Sequence, residues 1–316
     1  MGRVLYIGID YYAYTPEIRA ALARQGFESD YHPIESAGFW SKTFKKLAPA
    51  AYRRRLNGYH RRLIEESAGK AYDRVLFIQC HHVSLENMAR LRELHKRARF
   101  VLYNWDSLTT HDYRPWLPFF DAAWTFDPAD AEMLGIGYLP LFAIPPYFAV
   151  RQSEAPEIDI CFVGAIGTLQ RFEALERLEQ YCSAQGITSR FHLKCSPAVR
   201  LRLLRLGKSL PGLTLRSLDQ AGIIGLIERS RATFDFANHR QTGYTLRFIE
   251  NMCAGRKIVT ENARIKGEDF YREDRFLVIE DFDFSGLRAF LDLPVTSELK
   301  VHQWSIDQWA RSLLAS

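Results

Sequence analysis

The strongest constraint on this chain is an alternation that occurs twice. Short apolar runs of strand type are separated by longer segments of helical spacing. Val4-Leu5-Tyr6-Ile7-Gly8-Ile9 reads as a buried strand with Asp10 at its end, and Pro16–Arg24 as a helix with Thr15 as N-cap and Gly26 as its stop. Further strands are expected at Phe27–Tyr31, Arg74–Cys80, Arg99–Asn104, Ala122–Phe126 and Ile136–Pro140. Helices are expected from about Ala51 to Ser67 and over Ser84–Ala98, where Leu85, Met88, Leu91 and Leu94 share a face. Pro and polar residues then interrupt the pattern at Ile144-Pro145-Pro146 and Gln152–Pro156. It restarts with strands at Ile158–Val163, Arg190–Lys194, Ala232–Phe236, Lys257–Thr260 and Phe276–Ile279. The helices of this half are expected at about Gln170–Gln185, Thr245–Ala254 and Trp304–Leu314.

Strands that alternate with helices pair in parallel and are covered on both faces. The expected fold is therefore α/β, with two Rossmann-like domains and a cleft between them, and 316 residues suffice for two cores. The domains are placed at residues 1–148 and 156–300, with a final helix in 301–316 that packs back on the first.

Composition removes several classes. No apolar run reaches 18 residues, which excludes a transmembrane helix, and Met1-Gly2-Arg3-Val4 has no signal-peptide shape. Five widely spread cysteines without a C-x-x-C read as reduced thiols of a cytoplasmic protein, with no zinc framework. The net charge is +5, concentrated locally. Between Glu35 and Glu65 stand Lys42, Lys45, Lys46, Arg53, Arg54, Arg55, Arg61 and Arg62 with no acid. Phe44, Leu47, Tyr52, Leu56 and Tyr59 are interleaved with them. Such a segment suits an anionic membrane surface, and equally a solvated helix with its charges outward. No nucleic-acid-binding module is present, and no nucleic-acid partner is expected.

Ligands of open α/β sheets bind beyond the carboxyl ends of strands. In the first half this selects Asp10, Tyr11 and Tyr12, His81 and the segment Asn104–Asp112. Asp10, Tyr11, Tyr12 and His81 are candidates for an acceptor side. Asp106, His111 and Asp112 are candidate bases, Asp106 first because it lies nearest the strand end; a turn-capping aspartate is the competing reading. In the second half, Gly164-Ala165-Ile166-Gly167-Thr168 joins a strand to a helix, where backbone N–H groups can meet a phosphate, and Arg171 follows one turn later. The loop has neither dinucleotide nor P-loop spacing, so a tight turn alone is the other reading, and an NAD dehydrogenase is disfavoured. Arg247 and Glu250 share a helix face: one is a bidentate phosphate donor, the other an acceptor for a ribose diol, unless they form only an exposed ion pair. Asp281-Phe282-Asp283 is read as a loop, and no metal or other cofactor is expected.

Gly243-x-x-x-Arg247-x-x-Glu250-x-x-x-x-Gly255-x-x-Ile258 followed by Thr260 resembles the donor-binding helix of GT-B glycosyltransferases. With Tyr103-Asn104-Trp105-Asp106-Ser107 and Phe162-Val163-Gly164, the chain is similar to CgeB-like and lipopolysaccharide or capsule biosynthesis glycosyltransferases. The resemblance implies a nucleotide-sugar donor, a glycan or lipid-linked acceptor, and a cytoplasmic enzyme peripheral at the inner face of the membrane. Donor contacts are expected at Gly164, Ala165, Arg171, Gly243, Tyr244, Thr245, Arg247 and Glu250, and the resemblance implies that Glu250 holds the ribose. Thr242 stands where many GT-B enzymes carry a second glutamate, so the stereochemical outcome is open. A nucleotide-sugar epimerase of similar architecture and a non-catalytic basic binding protein are the alternatives.

Overall fold

The computed structural model describes residues 1–11, 13–35, 47–151, 153, 155–236 and 241–315. Tyr12, Lys42, Phe44, Lys45, Lys46 and, in the expected linker, Gln152 and Glu154 lie outside the described residues. The chain divides into two compact units. One comprises Met1–Phe142, His239–Tyr244 and Trp304–Ser316; the other comprises Ala143–Asn238 and Thr245–Gln303.

The first unit holds β1 (Gly2–Gly8), β2 (Phe27–Pro33), β3 (Arg74–Ile78), β4 (Arg99–Asn104), β5 (Ala122–Thr125) and β6 (Gly137–Tyr138) in one sheet of order β2-β1-β3-β4-β5-β6. β1 is paired in parallel on both sides, from Gly2↔Phe27 to Gly8↔Pro33 and from Val4↔Arg74 to Gly8↔Ile78. Val4, Leu5, Tyr6 and Ile7 are each at most 2% exposed, as a strand covered on both faces requires. Each such side chain contributes roughly 1.5–3 kcal/mol by leaving water. Leu63 and Ile64 of the helix Pro49–Ser67 and Met88 and Leu91 of the helix Leu85–Leu94 complete that core. The second of these helices is shorter than its apolar spacing predicts. Ser84 caps it, accepting from the Asn87 amide at 3.3 Å, and the Ala98 amide bonds the His95 carbonyl in a turn that leads directly into β4.

The helix Ile306–Ala315 belongs to this same unit. Trp309, 2% exposed, packs edge-on to Tyr103 at 5.1 Å and against Phe142 at 4.3 Å. Asp307 pairs with Arg24 at 2.7 Å, and Arg74 donates to the Leu314 carbonyl.

The second unit repeats the plan with β7 (Ile158–Ala165), β8 (Ser189–Lys194), β9 (Leu213–Thr214), β10 (Ser230–Asp235), β11 (Lys257–Thr260) and β12 (Phe276–Val278). Their order is β12-β11-β10-β7-β8-β9, all parallel. The helix Leu169–Ala184 lays Phe172, Leu175 and Leu178 onto this sheet, beside Phe191, Phe234 and Val259. In both sheets the chain winds outward from one strand, then restarts on that strand's other side. These reversals lie between β1 and β3 and between β7 and β10. Such switch points open a crevice beyond the strand ends, which is where doubly wound sheets take ligands.

Candidate functional site

In the second unit the switch point brings the end of β7 beside the end of β10. The Ile166 amide bonds the Lys194 carbonyl, so the loop after β7 is anchored to the sheet, while Gly167 and Thr168 are exposed. Thr168 caps the helix Leu169–Ala184, accepting from the Arg171 amide. The Arg171 side chain folds back, donates to the Ala165 carbonyl at 2.8 Å and lies over the Phe236 ring at 4.9 Å. Gly164 stays within β7, where a Cβ would meet the Phe162 ring at 2.7 Å; its role there is close packing.

Asp235 ends β10 and is 4% exposed. It accepts from the Thr245 hydroxyl at 2.6 Å and the Thr260 hydroxyl at 3.1 Å. Burial pushes its carboxyl up, against those two hydroxyls and the positive charges of Arg171 and Arg247, which favour the carboxylate. Burial likewise lowers the Arg171 guanidinium, with Asp235 opposing. Thr245 is also the N-cap of the helix Leu246–Cys253, accepting from the Phe248 amide at 3.0 Å. That helix closes on Gly255 in the left-handed region, φ 67°, with the Arg256 amide on the Asn251 carbonyl and the Gly255 amide on the Met252 carbonyl.

Arg247 and Glu250 do pair, at 2.5 Å, but the pair is not an exposed one: Glu250 is buried, with a side chain 2% exposed, and that of Arg247 is 25% exposed. Arg247 also donates to the Tyr147 hydroxyl at 3.2 Å. The group turned toward solvent is thus the arginine, and the glutamate is its inner anchor. Glu261, just past β11, is held up at about 7 by burial and by Asp281.

Within the first unit, Asp127 caps the helix Pro128–Leu134 and accepts from the Thr242 amide at 2.8 Å as well as the Thr242 hydroxyl. Thr242 is therefore pinned to Asp127. A Cβ on Gly243 would collide with the Phe126 carbonyl oxygen, and Tyr244 is buried, so both pack rather than present themselves.

At the first switch point, Asp106 accepts from Gln79 Nε2 at 2.5 Å. Gln79, directly after β3, has φ 65°, a left-handed conformation uncommon for a residue with a Cβ. Burial raises the Asp106 carboxyl, while His111 and Gln79 pull it down. The His111 ring stacks on His81 at 3.9 Å, and His81 lies 4.0 Å from His82, which faces Glu35 at 3.6 Å. Asp106, His111 and His81 are thus brought together. Asp112 is not with them: it is exposed and held by Arg114 at 2.8 Å, which lowers its carboxyl and makes it a weak base. Asp10 is exposed, and Tyr11 lies 5.8 Å from the Trp105 ring. Beside this cluster is a cavity of about 410 Å³ lined by Tyr52, Arg53, His81, His82, His111 and Trp116, among others.

Sequence reasoning assigned no role to Asp235, Tyr147 or Glu261, although Glu261 falls in the strand-end segment Thr260–Asn262. Asp235 and Glu261 each stand at or just beyond the end of a strand, which was the available signal. Among the described residues, no three His, Cys, Asp or Glu side chains are arranged to hold a metal ion. Asp281 and Phe282 are left-handed, and Asp283 accepts from the Ser285 amide in a turn.

No protein-family model matches the chain, and no curated protein matches it. Solved structures do. A glycosyltransferase involved in avilamycin A biosynthesis, AviGT4, superposes with a TM-score of 0.61 at 12% identity, over 100% of this chain and 96% of that one. The lipopolysaccharide outer core galactosyltransferase WaaB gives 0.58 at 13% identity, over 98% and 97%. The UDP-GlcNAc 2-epimerase from Neisseria meningitidis, bound to UDP-GlcNAc, gives 0.56 at 9% identity, over 100% and 99%. Two parallel six-stranded sheets with one switch point each, matched end to end by these structures, place the chain in the GT-B fold.

Proposed function

We propose that this chain is a glycosyltransferase that moves a sugar from a nucleotide-sugar donor to a growing cell-surface glycan. The observation that carries the reading is the pair of arginines, Arg171 and Arg247, set about buried Asp235 at the second switch point and fixed by Ala165, Glu250 and Tyr147. Held guanidinium groups suit a diphosphate, and charge that develops on a departing diphosphate is stabilised best by cations that need no reorganisation. In this reading the glycosidic bond to the diphosphate breaks as an acceptor hydroxyl attacks the anomeric carbon. Asp106, oriented by Gln79, takes the proton. Glu250, buried and paired with Arg247, contributes through that arginine rather than by holding the ribose. Because the arginines neutralise the leaving group, turnover is expected to persist in chelator. A surface-glycan acceptor rests on the sequence resemblance, with WaaB as the lipopolysaccharide enzyme of the same fold.

The test is a thermal-shift panel of UDP-, GDP-, dTDP-, ADP- and CMP-sugars. A ligand at 100 times its Kd adds about 2.7 kcal/mol to the native state, which moves Tm by several degrees. One nucleotide should stand out, and Arg171→Met and Arg247→Met should each erase the shift. A flat panel would remove the reading. The second reading, an epimerase, is favoured by the UDP-GlcNAc 2-epimerase of the same fold. Release of a free sugar or epimer from donor alone, without acceptor, would decide for it.

A further inference from the structure

We propose that the helix Pro197–Arg205, with the residue that follows it, is a docking surface for an anionic lipid bilayer. The helix has two opposite faces. Leu203 is buried in the core of the second unit and Val199 packs against it. Leu201 and Leu204, three apart on the outer side, are 50% and 62% exposed, and Leu206 just past the helix is 51% exposed. Leu201 and Leu204 thus offer two large apolar side chains to water on one side of the helix. Arg200, Arg202 and Arg205 are exposed on the same short helix. No Asp or Glu occurs between Glu179 and Asp219, so nothing within the segment neutralises them. Lys208 is the exception among its cations, since it is tied to Glu176 at 2.8 Å and Glu173 at 3.7 Å on the preceding helix.

Leucines flanked by arginines match the chemistry of a headgroup region: apolar side chains enter the acyl boundary while guanidinium groups meet anionic phosphates. A protein partner would have to supply a matching acidic groove; a bilayer supplies both components at any point. The basic helix Pro49–Ser67 lacks the first component. Its Arg53, Arg54 and Arg55 are exposed, but Tyr52, Leu63 and Ile64 are buried in the first unit. Of the two helices, the one in the second unit carries exposed leucines within it; Leu47, 81% exposed, stands two residues before the other.

The surface is independent of the transfer reaction, so its test uses no donor. The full chain is sedimented with phosphatidylcholine vesicles and with vesicles that also contain phosphatidylglycerol, at low and high salt. Binding is expected only with phosphatidylglycerol and weaker at high salt. Leu201→Ser with Leu204→Ser should lower the apparent affinity about tenfold or more. These residues are exposed, and the variant's melting temperature confirms its fold. Arg200→Gln, Arg202→Gln and Arg205→Gln together should weaken binding and flatten its salt dependence. Absence of binding at low salt, or unchanged binding by the leucine variant, would overturn the proposal. So would loss of binding on Arg53→Gln, Arg54→Gln and Arg55→Gln alone. A dimer that the leucine variant dissociates, with no vesicle binding, would identify the occupant as a second copy and also overturn it.

Discussion

Removing the Glu250 carboxylate should release Arg247, and the cost can be bounded from the geometry. The two groups are 2.5 Å apart, with side chains 2% and 25% exposed. Breaking a fully buried ion pair by deleting one partner costs about 3–5 kcal/mol, because a charge is left without compensation. In Glu250→Ala the survivor is Arg247, which keeps some water and the Tyr147 hydroxyl, so we expect roughly 2–3 kcal/mol. In Arg247→Met the survivor is the buried carboxylate, and the loss should approach the upper end of that range. Glu250→Gln keeps the volume and an acceptor oxygen and should cost about 1 kcal/mol. The double variant Arg247→Met, Glu250→Ala leaves no orphaned charge, and its loss should be smaller than the sum of the single losses by about 2 kcal/mol. Urea unfolding of the single and double variants at constant slope measures all of this. Additive losses, within about 0.5 kcal/mol, would refute the claim that the two side chains form one unit. Glu250→Gln should also retain part of the nucleotide-dependent Tm shift that Arg247→Met abolishes.

Glu261 offers a pH dependence. Its folded value of about 7 lies above the ordinary glutamate value of 4.5, so between those limits the folded state holds a proton that the unfolded chain has released. Stability should therefore fall as pH rises from about 4.5 to 7 and then level off, and Glu261→Gln should flatten the profile and gain roughly 2 kcal/mol at pH 8; identical profiles would count against it. Gly243→Ala forces a Cβ into the Phe126 carbonyl oxygen and should cost about 1–3 kcal/mol, read as a lower urea midpoint.

Much of the fold was legible because parallel strands buried on both faces leave uninterrupted apolar runs, as in Val4–Ile7 and Ile158–Val163. The helix before Gly255 was legible from its spacing and its stop. The helix Pro197–Arg205 was passed over because its leucines occupy both faces, so no apolar stripe marks it. β9 is only Leu213–Thr214, too short for any period to show. In the site, spacing identified Arg247 and Glu250 as neighbours but not which of them faces solvent, since burial is set by Tyr147 and the sheet, far apart in sequence. Asp235 was hidden for the opposite reason: at the end of an apolar strand it reads as a terminus, and only the fold brings Thr245 and Thr260 to its two oxygens.

The helix Ile306–Ala315 has a consequence for biosynthesis. The first unit's sheet is encoded by Met1–Phe142, yet the Trp309 ring that covers Tyr103 and Phe142 is translated only after the whole second unit. At 5–20 residues per second, the stretch between Phe142 and Trp304 occupies a ribosome for roughly 10–30 s. During that interval the nascent first unit lacks the ring that later packs on Tyr103 and Phe142. A release or cleavage just before Trp304 would leave those two side chains without it permanently.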